Sequence, residues 1–448
     1  MRRSCPGATR AGIGRLVVGA LMALAAPAMA RAQVTVVGPG PAGQVLGRAT
    51  AAPESLVVSF LSVGPGEELF DRFGHAAIRV RDAATGLDSA WNWGMYDFES
   101  PGFVWRFLTG DTRYWMAGYP TPVMLEYYHR YDRAVWEQEL ALDRPQADSL
   151  LRFLRWNARP ENRFYRYDYY LDNCATRVRD AIDLVVGGAV RRATEASGSG
   201  VTWRGETLRL SAAYPLVAFG MTFALGPRAD ATLSAWQEGF IPMRLRDALR
   251  GVRIGADARP LVAAERTLLP VGAFPEAPAP PSYAGPAALI GFGVAIVLFG
   301  LALQARAAAP RVAVGVIGTL WHLTLGLAGT LVLLAGLFTR HHFMAANTSV
   351  LLGTPASLAL VAVFARGWSP AAGRTTRRAA AGLSALAAAC ACLALVAHVA
   401  GSLSPADWAP VAFALPVHVA LAAGIGLHQR AGGAVPSTRE PSSAAGAA

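Results

Sequence analysis

Residues 169–180 read YYLDNCATRVRD, and the reading of this stretch decides the fold of the first half of the chain. An extended aromatic run, residues 164–171, meets Asp172 and Asn173, two residues whose side chains favour helix N-caps. A helical pattern with Val178, Ile182 and Val185 follows and stops at Gly187 and Gly188. Cys174 therefore falls in the first turn of a predicted helix. Free backbone N–H groups and the positive end of the helix dipole converge there, a setting that can take a cysteine pKa from about 8.5 to as little as about 3.5. Cys174 is a candidate nucleophile, and a small buried residue is the other reading of the same position. Arg177, one turn on, favours the thiolate unless Asp180 pairs with it.

Composition sets the compartment. The chain has 448 residues, 53% of them hydrophobic, with a mean hydropathy of +0.32, which points to a membrane protein of two or three domains. Net charge is +11 and every basic residue is arginine. These arginines are scattered rather than clustered on one stripe, which argues against nucleic acid as a partner. Residues 1–32 combine a basic start, an apolar run and small residues at Ala28, Ala30 and Ala32, the pattern of a cleaved secretory signal. Cys5 leaves with it, and Cys390 and Cys392 lie in an apolar stretch. Cys174 is then the one cysteine on the exported side, with no partner for an intramolecular disulfide.

After a Gly-, Pro- and Ala-rich lead-in (33–54), residues 55–63 read as a buried strand, 73–81 as a second strand with His75 near its start, and 89–96 as a third. Short helices are predicted at 103–108 and 123–131, and a strand at 134–142. Asp143 caps a helix whose apolar face uses Leu150, Leu151, Phe153 and Leu154. Residues 203–250 read as two or three helices. The exported domain is thus placed at 55–270 and a semi-rigid Pro-rich linker at 271–286.

Five apolar segments follow, at 287–303, 313–338, 348–365, 379–400 and 410–427, each close to the about 20 residues that a bilayer crossing needs. The transmembrane domain is placed at 287–428 and a cytoplasmic tail at 429–448. Arg306, Arg311, Arg366, Arg374, Arg377, Arg378, Arg430 and Arg439 all fall on one side of the resulting topology, opposite the first domain. Residues 339–347 (TRHHFMAAN) are the exception. Arg340, His341, His342 and Asn347 lie on the face of the exported domain, either as interfacial anchors or as a site for an anionic lipid headgroup facing Cys174. His322, His398 and His418 read as packing or helix-end groups.

A cysteine nucleophile needs a base, and the exported domain offers two histidines. His129 sits in a Tyr- and Arg-rich helical stretch and reads as solvated or packed. His75 opens a strand after a glycine. Histidine on a sheet and cysteine opening a helix are the pairing of papain-like folds, with the chain order of their permuted relatives. The third polar group that orients the imidazole is Asn92, with Asp97 as second choice. Asn173, Asp172 and Arg177 are candidates for orientation or for an oxyanion, together with first-turn backbone N–H groups. No metal or cofactor site is expected.

Residues 73–80 (FGHAAIRV), 92–98 (NWGMYDF), 103–115 (FVWRFLTGDTRYW) and 171–180 (LDNCATRVRD) together resemble the exported domain of the Lnb-type lipoprotein N-acyltransferase family. The run 320–342 (LWHLTLGLAGTLVLLAGLFTRHH), with Asn347 and Pro355 beyond it, is similar to that family's five-helix membrane domain. Ala175 departs from the hydroxyl-rich pattern around the nucleophile. The resemblance implies an α+β chain: an exported permuted papain-like (NlpC/P60-like) domain followed by an all-α five-helix transmembrane domain in the inner membrane. It also implies that Cys174, activated by His75, takes an acyl chain from a phospholipid and passes it to the α-amine of a diacylglyceryl-cysteine lipoprotein. A periplasmic papain-like peptidase or amidase uses the same dyad without the membrane loop, and a non-enzymatic membrane assembly protein needs neither.

Overall fold

The computed structural model describes residues 56–270, 272–400 and 408–433. The expected signal peptide and lead-in and residues 434–448 of the expected tail, with Cys5, Asp407 and Arg439, lie outside the described residues.

The exported part begins with β1 (Leu56–Val63), β2 (His75–Asp82) and β3 (Leu87–Met95), then α1 (Phe103–Thr109), β4 (Arg113–Pro120), α2 (Thr121–Arg130), β5 (Val135–Leu140), α3 (Arg144–Asn157) and β6 (Phe164–Arg166). Next come α4 (Cys174–Val185), α5 (Ala189–Thr194), α6 (Trp203–Leu210), α7 (Pro215–Ala224), α8 (Ala235–Glu238) and α9 (Pro242–Leu249). A two-residue ladder, β7 (Arg253–Ile254) with β8 (Arg259–Pro260), leads into β9 (Val262–Leu269). Seven strands form one antiparallel sheet in the order β6-β4-β3-β2-β1-β5-β9.

Both faces of the central strands are covered. This is why β1 reads as a continuous apolar run rather than an alternation. Val58, Phe60, Ile78 and Val80 meet Leu150 and Leu154 of α3 and Val178 and Ile182 of α4 on one face. Leu61, Val63, Ala77 and Ala90 meet Met124 and Tyr128 of α2 on the other. Burying each large aliphatic side chain in this way contributes about 1.5–3 kcal/mol. Asp143 caps α3 through a full capping box with Gln146, as its position before Pro145 suggests.

Three parts of the exported region differ from the sequence expectations. Residues 113–120 form β4, which the sequence reading left without a strand. Residues 203–250 hold four α-helices and a 3-10 turn (Pro227–Asp230) rather than two or three helices. Residues 262–269 supply an edge strand, recruited by pairing with β5. The start of the linker is also strapped down: Arg209 pairs with Glu276 at 2.7 Å, and Arg72 donates to the Pro275 carbonyl at 2.9 Å.

Among the described residues, five helices long and apolar enough to cross a membrane follow, counting the 3-10 turn Thr348–Leu352 with the helix it leads into. They are α10 (Ala284–Leu303), α11 (Ala308–Phe338), α12 (Pro355–Gly367), α13 (Arg374–Val399) and α14 (Trp408–Gly433). α10 starts inside the expected linker and α14 runs past residue 428. α10 packs along α14, α11 on α12, and α13 between α12 and α14. Between α11 and α12, the 3-10 turns His342–Met344 and Thr348–Leu352 reach the exported domain.

Candidate active site

The local chain makes the start of α4 rigid. Asn173 is the N-cap: its Oδ1 accepts the Thr176 N–H at 2.9 Å, and Thr176 Oγ1 accepts the Asn173 N–H at 2.8 Å. A cap of this kind contributes about 1 kcal/mol. The Asn173 amide donates to the carbonyls of Tyr169 (2.8 Å) and Phe240 (2.9 Å), so both of its protons are in use. Asn173 is therefore a structural cap with nothing left for an oxyanion, contrary to the sequence expectation. Arg177 is held by Asp172 through bonds of 2.5 and 2.6 Å, and lies 4.4 Å over the Tyr165 ring. Asp180 takes Arg179 instead of Arg177. Asp172 and Arg177 brace each other at the helix entry.

Cys174 is partly accessible between buried neighbours, as is His75 at the start of β2. The β2–β3 ladder begins only at the Ala77–Asn92 pair. The amides of Ala76, outside that ladder, and of Cys174 and Ala175 in the first turn all act on the thiol in the direction that favours the thiolate. The residue next to His75 thus bears on the thiol. Gly94 allows the approach from β3: its φ is +94°, in the register break between Asn92 and Met95, and a Cβ placed on it lies 3.7 Å from the Cys174 Cβ.

His75 Nε2 is 3.1 Å from Asn92 Oδ1, and Asn92 is 4% exposed. The Asn92 amide nitrogen donates to the Ala90 carbonyl at 3.0 Å, which fixes Oδ1 as the acceptor. Nε2 must then carry the imidazole proton, and Nδ1 keeps its lone pair. Asp97, the second choice for this role, is exposed and closes a turn by accepting the Glu99 N–H at 2.9 Å. His129 is exposed.

Electrostatics correct the expected thiolate. Burial pushes the Cys174 thiol above its ordinary value, against the opposing pull of the three amides and of Arg133. Burial also lowers His75 to about 4, with the Asn92 bond pulling up and Arg133 pushing down. Desolvation outweighs the helix end at this site. The resting pair is a neutral thiol beside a neutral imidazole.

Two contributors escaped the sequence reading. Tyr165 has a buried hydroxyl with no hydrogen-bond partner, 4.0 Å from the Gly94 Cβ position that also borders Cys174. Arg133 is 4% exposed and pairs with Asp71 at 2.5 Å, with Nη2 left without a bond. No motif marks either one; only the extended aromatic run hinted at Tyr165.

The membrane loop docks on the exported domain. The Arg340 backbone N–H donates to the Thr109 carbonyl at 2.9 Å, and its guanidinium lies 3.5 Å from Asp111. His341 Nε2 donates to the Phe107 carbonyl at 3.0 Å, and the Asn347 amide donates to Phe223 and Ala224 at the end of α7. Gly110 makes this docking possible, with φ +70° and only 3.1–3.3 Å between its Cβ position and the Arg340–His341 backbone and the Arg340 Cβ. Arg340, His341 and Asn347 therefore clamp the loop onto the exported domain, and His342 stays exposed.

Residues 44–207 match the family model described as the Lnb N-terminal periplasmic domain. The exported domain is of the Lnb type. The match ends inside α6, before α7 and the five long helices; a Lnb-type periplasmic domain followed by five helices apolar enough to cross a membrane fits a membrane-associated protein. Its α+β sheet domain followed by five apolar helices is the expected class. No curated protein and no solved structure matches the chain. Among the described residues no group of three or more His, Cys, Asp or Glu side chains is placed to hold a metal ion.

Proposed function

We propose that this Lnb-type protein is an inner-membrane cysteine acyltransferase that moves an acyl chain from a phospholipid to the N-terminal amine of a diacylglyceryl-cysteine lipoprotein. The observation that carries the reading is the ordered relay Asn92–His75, with Nδ1 free, one residue before Ala76, whose amide acts on the Cys174 thiol. The tether of five long helices keeps that thiol at a membrane surface, where both substrates lie.

Both groups are neutral at rest, so proton transfer accompanies attack. His75 Nδ1 takes the Cys174 proton as Sγ adds to the ester carbonyl of the donor. The developing oxyanion meets the amides of Cys174 and Ala175, and the Tyr165 hydroxyl is available to donate to it. The intermediate collapses by breaking the C–O bond to the lysophospholipid, whose alkoxide takes the proton back from His75. A thioester on Cys174 remains. The lipoprotein amine then attacks the thioester carbonyl, gives a proton to His75, and expels the thiolate, which is reprotonated as the amide forms.

Intact-mass measurement after incubation with phospholipid, before any acceptor, tests the reading. The expected result is a gain of one acyl chain, labile to hydroxylamine and absent in Cys174→Ala. Tyr165→Phe should form the same adduct about 10²–10³-fold more slowly. A folded protein that never acquires the adduct sinks the transferase reading and leaves a peptidase or amidase acting on cell-wall peptides as the alternative.

A further inference from the structure

α1 does not behave as a core helix. Its sequence is FVWRFLT, and none of its residues is buried. Val104 is 40% exposed, Trp105 62% and Phe107 49%, and neighbouring Phe98 is 45% exposed. An apolar patch of this kind marks a contact surface. Its height relative to the membrane is fixed by the bonds from Arg340 to Thr109 and from His341 to Phe107. Those two residues lie two and three positions beyond Phe338, the last residue of the 31-residue α11, which is itself 77% exposed. α1 is thus pinned at the end of a membrane span, the level at which aromatic side chains settle between headgroups and acyl chains.

Behind α1, aromatic rings continue inward. Phe107 stacks near Phe103 (6.3 Å between centroids), Phe103 meets Phe98 (5.0 Å), Phe98 meets Tyr96 (4.7 Å), Tyr96 meets Tyr114 (5.1 Å), and Tyr114 stacks on Tyr167 (4.3 Å). Tyr167 lies within electrostatic reach of Cys174. None of these six rings belongs to a core cluster, so this apolar surface is not consumed by packing of the domain interior.

We propose that α1 seats in the outer surface of the bilayer and that the aromatic wall behind it conducts the acyl chain of a membrane lipid to Cys174. The destination of the chain rests on the acyl-transfer reading; the lipid contact of α1 does not. An unbranched hydrocarbon fits such a wall because it gains dispersion contacts with each ring and asks for no hydrogen bond.

The test uses the full-length protein in liposomes of phosphatidylethanolamine and phosphatidylglycerol, with Cys174→Ala to prevent a thioester. The photoreactive residue p-benzoylphenylalanine replaces Val104 or Tyr96, with Phe338 as the lipid-facing positive control. Leu184, 66% exposed at the far end of α4, is the negative control. Tyr114 serves in place of Tyr96 should that variant fail to fold. Irradiation should add one phospholipid mass at 104 and at 96, as at 338, and none at 184. Adducts at 338 but at neither 104 nor 96 would overturn the proposal, and an adduct at 104 alone would overturn the path along the wall. Acylation of Cys174 in the unsubstituted protein is measured separately. Lipid adducts at both positions without a thioester support the path and count against acyl transfer.

Discussion

His75 carries a testable contradiction between its neighbours. Its hydrogen bond to Asn92 favours the imidazolium, yet burial and Arg133 hold its pKa at about 4. The imidazole therefore stays a competent base to well below the usual histidine range. Acylation of Cys174 should keep its rate from neutral pH down to about pH 4, where an ordinary histidine would already have lost it near 6.5. On the other side, the raised thiol pKa predicts that iodoacetamide labelling of Cys174 keeps climbing beyond pH 9 instead of reaching a plateau near neutrality. A labelling plateau near pH 6 would mean a resting thiolate and would refute the neutral pair. Stability follows the same sign. The folded pKa lies below the unfolded value of about 6.5, so stability present above pH 6.5 is lost as pH falls towards 4. His75→Gln should flatten that part of the thermal-midpoint profile. Asn92→Ala releases the ring and should slow acylation by about 10²-fold.

Elements differ in how far the chain announces them. The start of α4 was legible because Asp172 and Asn173 are followed by apolar residues at helical spacing, and the capping box does form. β1 to β3 were legible from their apolar and β-branched content. β4 was not: YWMAGYP lacks β-branched residues, and Gly118 exists there to let the Trp91 ring lie 3.0 Å from its Cβ position. β9 was not, because VAAERTLL is an exposed edge strand whose order comes from β5. The helices after α4 depend on a buried cation that no spacing reveals. Arg204, with a fully buried side chain, makes two bonds to Asp230, at 2.8 and 3.0 Å, and donates to the carbonyls of Thr222, Leu225 and Gly226. It thereby joins α6 to the end of α7, the apolar helix on which Asn347 docks. Arg204→Met takes the guanidinium from Asp230 and from the Thr222 and Leu225 carbonyls, while Gly226 keeps the Ala229 N–H, and should destabilise the protein by about 3–5 kcal/mol. Adding Asp230→Asn should recover part of this loss. Equal midpoints for the single variant and the parent, in thermal unfolding of the full chain, would show that α7 is held by the membrane helices alone.

At the scale of the molecule, the loop between α11 and α12 links the membrane to the cysteine. Phe343 is 5% exposed and lies 4.3 Å from the Tyr170 ring and 5.4 Å from Trp203, while its carbonyl accepts the Gly226 N–H at 2.6 Å. Tyr170 meets Phe240 at a tilt, 5.7 Å between ring centroids, and the carbonyls of Tyr169 and Phe240 are the two that hold the Asn173 amide. Phe343 thus stands three contacts away from the cap that opens the Cys174 helix, through Tyr170 and Phe240. In the sequence the polar residues of this loop read as interfacial anchors or a headgroup site, because charge is visible in a sequence and the burial of one phenylalanine is not. Phe343→Ala should remove an aromatic plug from a filled site and cost about 3–5 kcal/mol. It should also slow thioester formation, because the Asn173 cap loses its backing. Phe338→Ala, at the lipid-facing end of the preceding helix, should change neither. The readouts are the thermal midpoint of the full-length protein and the rate of acyl-adduct formation, compared across the two variants. A Phe343→Ala protein that unfolds earlier but acylates at the parent rate would make the loop a structural clamp only. A protein altered in both would make the membrane domain part of how the thiol is positioned, which a tether alone does not require.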